Sequence, residues 1–126
     1  MNIYESAEDY LETILVLCQE NGYARSVDIA AHLNVTKPSV SFAMKKLRES
    51  GYILMGSDNR ITLSGSGEEI AIRILDRHRT LTQFFMQLGV AEEIAREDAC
   101  KIEHYLSEQS YNAICERLLP ITKPKE

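Results

Sequence analysis

Apolar residues recur at helical spacing along most of the chain, and the places where the recurrence stops divide it into elements. Leu11, Ile14, Leu15 and Cys18 follow a three-and-four spacing, which puts them on one stripe of a helix. Ser6-Ala7-Glu8-Asp9 reads as its start, a serine cap with an acidic residue three positions on, and Gly22 as its stop. Ser26 then caps a short helix in which Ile29, Ala30 and Leu33 face inward. Asn34-Val35-Thr36 makes a tight connection, and Thr36 caps a second helix with Pro38 in its first turn and Gly51 as its stop. Val40, Met44 and Leu47 keep that helix's inward stripe. This is the layout of a helix-turn-helix, whose second helix reads the major groove. Tyr52-Ile53-Leu54-Met55 and Arg60-Ile61-Thr62-Leu63 flank Gly56-Ser57-Asp58-Asn59 as a short β-hairpin. A helix-turn-helix followed by a hairpin is a winged helix.

Beyond the hairpin the pattern is wholly helical. A long helix over about 65–88 carries Ile70, Ile74, Arg77, His78, Leu81 and Phe85 on one broad face, and Gly89-Val90 breaks it. Further helices are expected over 91–106 and 107–119. No internal repeat or low-complexity linker interrupts the order. The expected fold is mainly α, a winged helix-turn-helix domain with a short β-hairpin wing over 1–64 and an all-α domain over 65–120. Residues 121–126, with Lys123, Pro124 and Lys125, read as a flexible tail.

The outward face of the second helix changes this picture from fold to function. Ser39, Phe42, Lys45 and Lys46 lie off the apolar stripe. An exposed Phe among lysines suits contact with a thymine methyl while its neighbours meet phosphates; the alternative is a Phe packed under a neighbouring loop. Net charge over the 126 residues is −5, which alone disfavours nucleic acid. Its distribution reverses that: residues 24–60 hold six basic and three acidic side chains, leaving −8 for the remainder. A basic segment in an acidic chain suggests one surface for a polyanion and another for cations. Candidate DNA contacts are Arg25, Thr36, Lys37 and Pro38, then Ser39, Ser41, Phe42, Lys45 and Lys46, with Arg60 from the wing.

The cation-binding surface has its own signal. Cys100, Glu103 and His104 fall within an arc of about 100° on a helix, and thiolate, carboxylate and imidazole together can hold a transition metal. Asp9 and Glu12, three apart, share a side of the first helix, where they either complement the helix dipole or bind something. Three scattered cysteines argue against a disulfide framework and suit a reducing cytoplasm. No apolar run approaches the roughly 20 residues of a membrane span. The N-terminus lacks the basic and apolar regions of a secretory signal.

Glu8-Asp9-Tyr10-Leu11-Glu12, Pro38-Ser39-Val40-Ser41, Arg77-His78-Arg79 and 98–107, from Asp98 through Cys100-Lys101-Ile102-Glu103-His104 to Ser107, together resemble the diphtheria toxin repressor family. That family contains the iron-dependent repressors and manganese transport regulators. The resemblance runs from about residue 6 to residue 118. It implies a homodimer that binds a double-stranded DNA operator with two half-sites, and an all-α domain that serves metal binding and dimerisation. It implies a metal site at Asp9, Glu12, His78, Cys100, Glu103 and His104, and a divalent ion as co-repressor that fixes dimer geometry on operators of metal-uptake genes.

Manganese regulators share Asp9 and Glu12 but typically have glutamate in place of Cys100. Iron repressors share Cys100 but typically have methionine in place of Asp9. The ion expected is therefore Fe²⁺ or Mn²⁺, with Co²⁺ or Zn²⁺ binding in vitro. The family's ancillary site is not expected, because this chain has Thr82 and Arg96 where it needs a glutamate and a histidine. An SH3-like C-terminal domain is not expected either.

Two rivals belong to other classes. A metal-assisted hydrolase needs a first-shell water and room for substrate, which six candidate ligands leave scarce; neither an enzyme nor a small organic substrate is expected. A winged-helix regulator sensing an oxidant or organic ligand through Cys100 is the alternative. Cys18 and Cys115 read as small core residues, and His32 as solvent-facing.

Overall fold

The computed structural model describes residues 3–118, which form two compact units dividing between Arg73 and Ile74. The first contains α1 (Ile3–Asn21), α2 (Ser26–Leu33), α3 (Lys37–Glu49), β1 (Ile53–Met55), β2 (Ile61–Leu63) and the opening turns of α4 (Gly65–Gln87). The second contains the rest of α4, α5 (Glu92–Ile102) and α6 (Glu108–Arg117). The expected tail over 121–126 lies outside the described residues.

In the first unit the apolar stripes meet as their spacing requires. Leu11, Ile14 and Leu15 of α1, Ile29 and Ala30 of α2, and Val40, Met44 and Leu47 of α3 are all buried, with Ile53 and Ile61 from the hairpin. The α1 stop is Gly22 at φ +86°, a conformation that costs glycine least. Its start is not the Ser6 cap: the helix already runs from Ile3, since neither glycine nor proline precedes the serine to stop it.

Ser26 is likewise the first residue of α2 rather than its cap. The cap is Arg25, extended at φ −122° and ψ 150°. The physical reason is one residue upstream, where Ala24 and Ile61 exchange both backbone hydrogen bonds (2.8 and 2.7 Å). That bridge holds the chain extended, so the helix can begin only after it. The turn into α3 follows the sequence closely: Asn34 is left-handed at φ 55°, and the Thr36 side chain accepts the Ser39 N–H at 3.3 Å.

β1 and β2 pair antiparallel, with Ile53 opposite Leu63 and Met55 opposite Ile61. Asn59, at φ 63°, turns the loop. The Ser64 hydroxyl accepts the Gly67 N–H at 3.2 Å and donates to the Gly51 carbonyl at 2.7 Å, so it caps α4 and ties it to the end of α3. Gly67 has a steric role as well. A Cβ there would run into the Tyr52 carbonyl oxygen.

In the second unit Ile74, Leu75, Leu81, Ala95 and Ala99 are buried, and Gly89 at φ +102° ends α4. Two expectations change. The helix expected to reach residue 106 ends at Ile102, so Glu103 is its cap and His104 lies in the following turn. Cys115 is exposed rather than core, because α6 buries none of its residues. His32 is exposed as expected.

Candidate metal centre and nucleic-acid interface

Asp9 and Glu12 sit on one side of α1, both half-buried, flanking the fully packed Leu11. Burial pushes the neighbouring Tyr10 hydroxyl above its ordinary pKa, and the Asp9 carboxylate adds to that. These are the first unit's two candidate ligands.

The second unit supplies the rest. Glu103 has no exposed surface, and its two carboxylate oxygens face two imidazoles. His78 Nδ1 is 3.2 Å from one oxygen and His104 Nε2 is 3.6 Å from the other. His78 comes from α4, where the Thr82 hydroxyl donates to the His78 carbonyl at 2.8 Å. Cys100 is on the last turn of α5 and exposed. The structure thus brings His78, Glu103 and His104 together within this unit, with Cys100 one helical turn before Glu103.

The turn itself is held by Arg77, which sequence reasoning placed on the α4 face without assigning it a role. Arg77 is 4% exposed. One Nη donates to the carbonyls of Glu103 (3.1 Å) and Leu106 (2.5 Å), and the other to Glu108 at 3.0 Å. Its guanidinium also lies 5.0 Å from the Tyr111 ring centroid. Carbonyls at a helix end lack intrahelical partners, so Arg77 both ends α5 and fixes the backbone of Glu103. Its conformation remains right-handed helical, at φ −58° and ψ −28°, which keeps Glu103 near the register the sequence assumed. A buried cation beside a run of terminal carbonyls is not visible as a pattern in the sequence.

This donor set fits a divalent transition metal. A buried carboxylate is costly unless positive charge compensates it, and imidazole nitrogens facing it are either protonated partners or metal ligands. Two imidazoles and a carboxylate are donors that Fe²⁺, Mn²⁺ and Zn²⁺ all accept. The two residues that stand where the ancillary site needs a glutamate and a histidine do other work: Thr82 bonds to the α4 backbone, and Arg96 pairs with Glu92 at 2.6 Å.

The DNA-facing candidates all belong to the first unit. Thr36, Lys37, Pro38, Ser39 and Ser41 are exposed around the start of α3, and Lys45 and Lys46 further along. Phe42 is 64% exposed, and Lys46 Nζ stands 4.9 Å from its ring centroid; no loop covers it among the described residues. Arg25 and Arg60 stand by the wing, each against the ring of Tyr23. Tyr23 was not singled out from the sequence. The available signal was its position two before Arg25 in a segment without helical periodicity.

Residues 2–58 match the family described as "Iron dependent repressor, N-terminal DNA binding domain", and residues 64–124 match "Iron dependent repressor, metal binding and dimerisation domain". The chain belongs to the iron dependent repressor family. Among its relatives, the transcriptional regulator MntR of Escherichia coli is 40% identical over 109 residues, covering 86% of this chain and 70% of that protein. An uncharacterized helix-turn-helix transcriptional regulator of Methanocaldococcus jannaschii is 40% identical over 116 residues, with 90% of each covered. The crystal structure of T. acidophilum IdeR superposes with a TM-score of 0.78 at 32% identity. That match covers 87% of this chain, which spans about half (52%) of the solved one. Members of the iron dependent repressor family are metal-dependent transcriptional regulators, not enzymes. No described helix is long and apolar enough to cross a membrane.

Proposed function

We propose that this chain is a metal-responsive, DNA-binding repressor of metal-uptake genes, acting in the cytoplasm as a homodimer on an operator with two half-sites. The observation that carries the reading is the Glu103 carboxylate, wholly buried between His78 and His104, in a chain whose other end is a winged helix. The full ligand set is Asp9, Glu12, His78, Cys100, Glu103 and His104, and the ion Fe²⁺ or Mn²⁺. The functional boundary lies near residue 64, with residues 1–64 for DNA and 65–120 for metal and dimerisation.

A divalent ion supplies positive charge against three carboxylates and a Lewis-acid partner for Cys100 and the two histidines. Uncompensated, Asp9, Glu12 and Glu103 repel one another. With their charge offset, the dimer holds its two α3 helices at the spacing that two half-sites demand. Phe42 then enters the major groove while Lys45 and Lys46 beside it meet phosphates, with Arg25, Thr36, Lys37, Pro38, Ser39 and Ser41 completing the DNA-facing surface and Arg60 reaching in from the wing. Apolar contact by Phe42 with a thymine methyl gives sequence preference without a hydrogen bond.

The test is a duplex-binding titration with Mn²⁺, Fe²⁺ under anaerobic conditions, or chelator, using the parent chain and Glu103→Ala. Each metal should tighten binding by the parent at least ~10-fold, within the usual range of coupling between effector and ligand, and have little effect on the variant. Equally tight binding with chelator and with metal would falsify the co-repressor reading.

A further inference from the structure

The wing carries an arrangement that the metal centre does not use. Ala24 and Ile61 form one antiparallel bridge. In such a bridge the flanking residues also face each other, so Arg25 stands opposite Arg60. Like charges directly opposed across a ladder are destabilising. Side chains two apart in an extended segment share a face, which brings Tyr23 to the same side. Its ring lies against both cations, with Arg60 Cζ 4.2 Å and Arg25 Cζ 5.4 Å from its centroid.

One ring attracting two guanidinium groups offsets part of their repulsion. Asp58 offsets more. Its Oδ2 is 2.7 Å from Arg60 Nε, and its Oδ1 accepts the Arg60 backbone N–H at 3.2 Å. Both side chains of that ion pair are half exposed, so the carboxylate stands where an oxygen of an incoming anion would meet Arg60. Arg25 has no carboxylate partner among the described residues. Two cations on one open face, one neutralised by a displaceable carboxylate and one not, make a site for a single tetrahedral oxyanion.

We propose that Tyr23, Arg25 and Arg60 form a clasp for one backbone phosphate of duplex DNA. Tyr23 is the positioning residue that keeps both guanidinium groups on one face, and Asp58 is an internal competitor displaced on binding. The clasp rests on the reading of the chain as a DNA-binding regulator. The phosphate belongs to a DNA backbone rather than a free anion because the face is open and lies in the same unit as α3.

The test uses the full chain with Mn²⁺ and a fluorescent duplex recovered by repeated selection from a random library, with affinity followed across salt concentrations. Tyr23→Leu should weaken binding about fivefold at moderate salt and lower the slope of log K against log salt by about one. Tyr23→Phe keeps the ring and should behave as the parent. Asp58→Asn should tighten binding roughly threefold, since a competing charge is removed. Parent-like circular dichroism shows that Tyr23→Leu is folded; Arg25→Gln carries the same slope test if it is not.

An unchanged slope in the folded variants overturns the clasp. So does Tyr23-dependent binding of inorganic phosphate, measured calorimetrically, when the DNA slope does not respond. A parent chain that binds no selected duplex defeats the DNA-binding reading itself, whereas a parent that binds with a Tyr23-independent slope defeats only the clasp.

Discussion

Arg77 shows how one side chain can set a site that it does not line. Its charge is buried and its Nη donors are committed to the carbonyls of Glu103 and Leu106 and to Glu108. Arg77→Met keeps the bulk but leaves terminal carbonyls unpaired, which should cost about 3 kcal/mol in urea unfolding. Metal affinity should fall with it, since Glu103 loses its backbone anchor. An unchanged unfolding midpoint would show that water replaces the guanidinium without penalty.

The three thiols give a second residue-level measurement. Cys18 is half-buried and its pKa is pushed up, chiefly by burial and then by Glu68, while Cys100 and Cys115 are exposed. Cys18 should therefore react slowest with a disulfide reagent at pH 8, and added Mn²⁺ should slow Cys100 alone. A raised pKa means that the fold favours the neutral thiol. Its stabilisation is complete below the ordinary value of 9.0 and is lost as pH rises beyond it. Melting curves of the parent and Cys18→Ala should therefore converge above that pH.

At the scale of elements, the helices, the turn into α3 and the hairpin were legible because each depends on neighbours in sequence. Thr36 before a proline-bearing turn and apolar residues four apart are local signals. Thr36→Ala should cost about 1 kcal/mol in thermal unfolding, the usual worth of a helix cap. What escaped was set by distant partners: the start of α2 by the Ala24–Ile61 bridge, the end of α5 by Arg77, and the exposure of Cys115 by an α6 that buries nothing. Gly67 belongs to the same class. Nothing in Ser64-Gly65-Ser66-Gly67 says which glycine is obligatory, yet only Gly67 abuts the Tyr52 carbonyl. Gly67→Ala should lower stability by about 2 kcal/mol or more as the start of α4 is forced from the wing, whereas Gly65→Ala, with open space around it, should be neutral or stabilising.

For the whole molecule, the family and the kind of chemistry were readable because charge and donor residues are distributed unevenly along the chain. A net charge of −5 overall coexists with a basic segment over residues 24–60, so affinity for any duplex should fall steeply with salt. The candidate ligands were legible by residue type, and His78, Glu103 and His104 do converge. Their support was not legible, because a turn held by a buried arginine leaves no periodic trace.

The break between helix and turn at Ile102 separates two kinds of donor. Glu103 and His104 depend on a backbone pinned from α4, whereas Cys100 projects from a regular helix and shares none of that support. In the proposed site, a substitution at 100 changes the softness of the donor set while the Arg77 hydrogen bonds that pin the turn stay in place, so one codon retunes metal preference. Cys100→Glu should shift selectivity from Fe²⁺ or Zn²⁺ toward Mn²⁺ and lower thermal stability without metal, because it adds a carboxylate one turn from the buried Glu103, as paired metal titrations and melts would show.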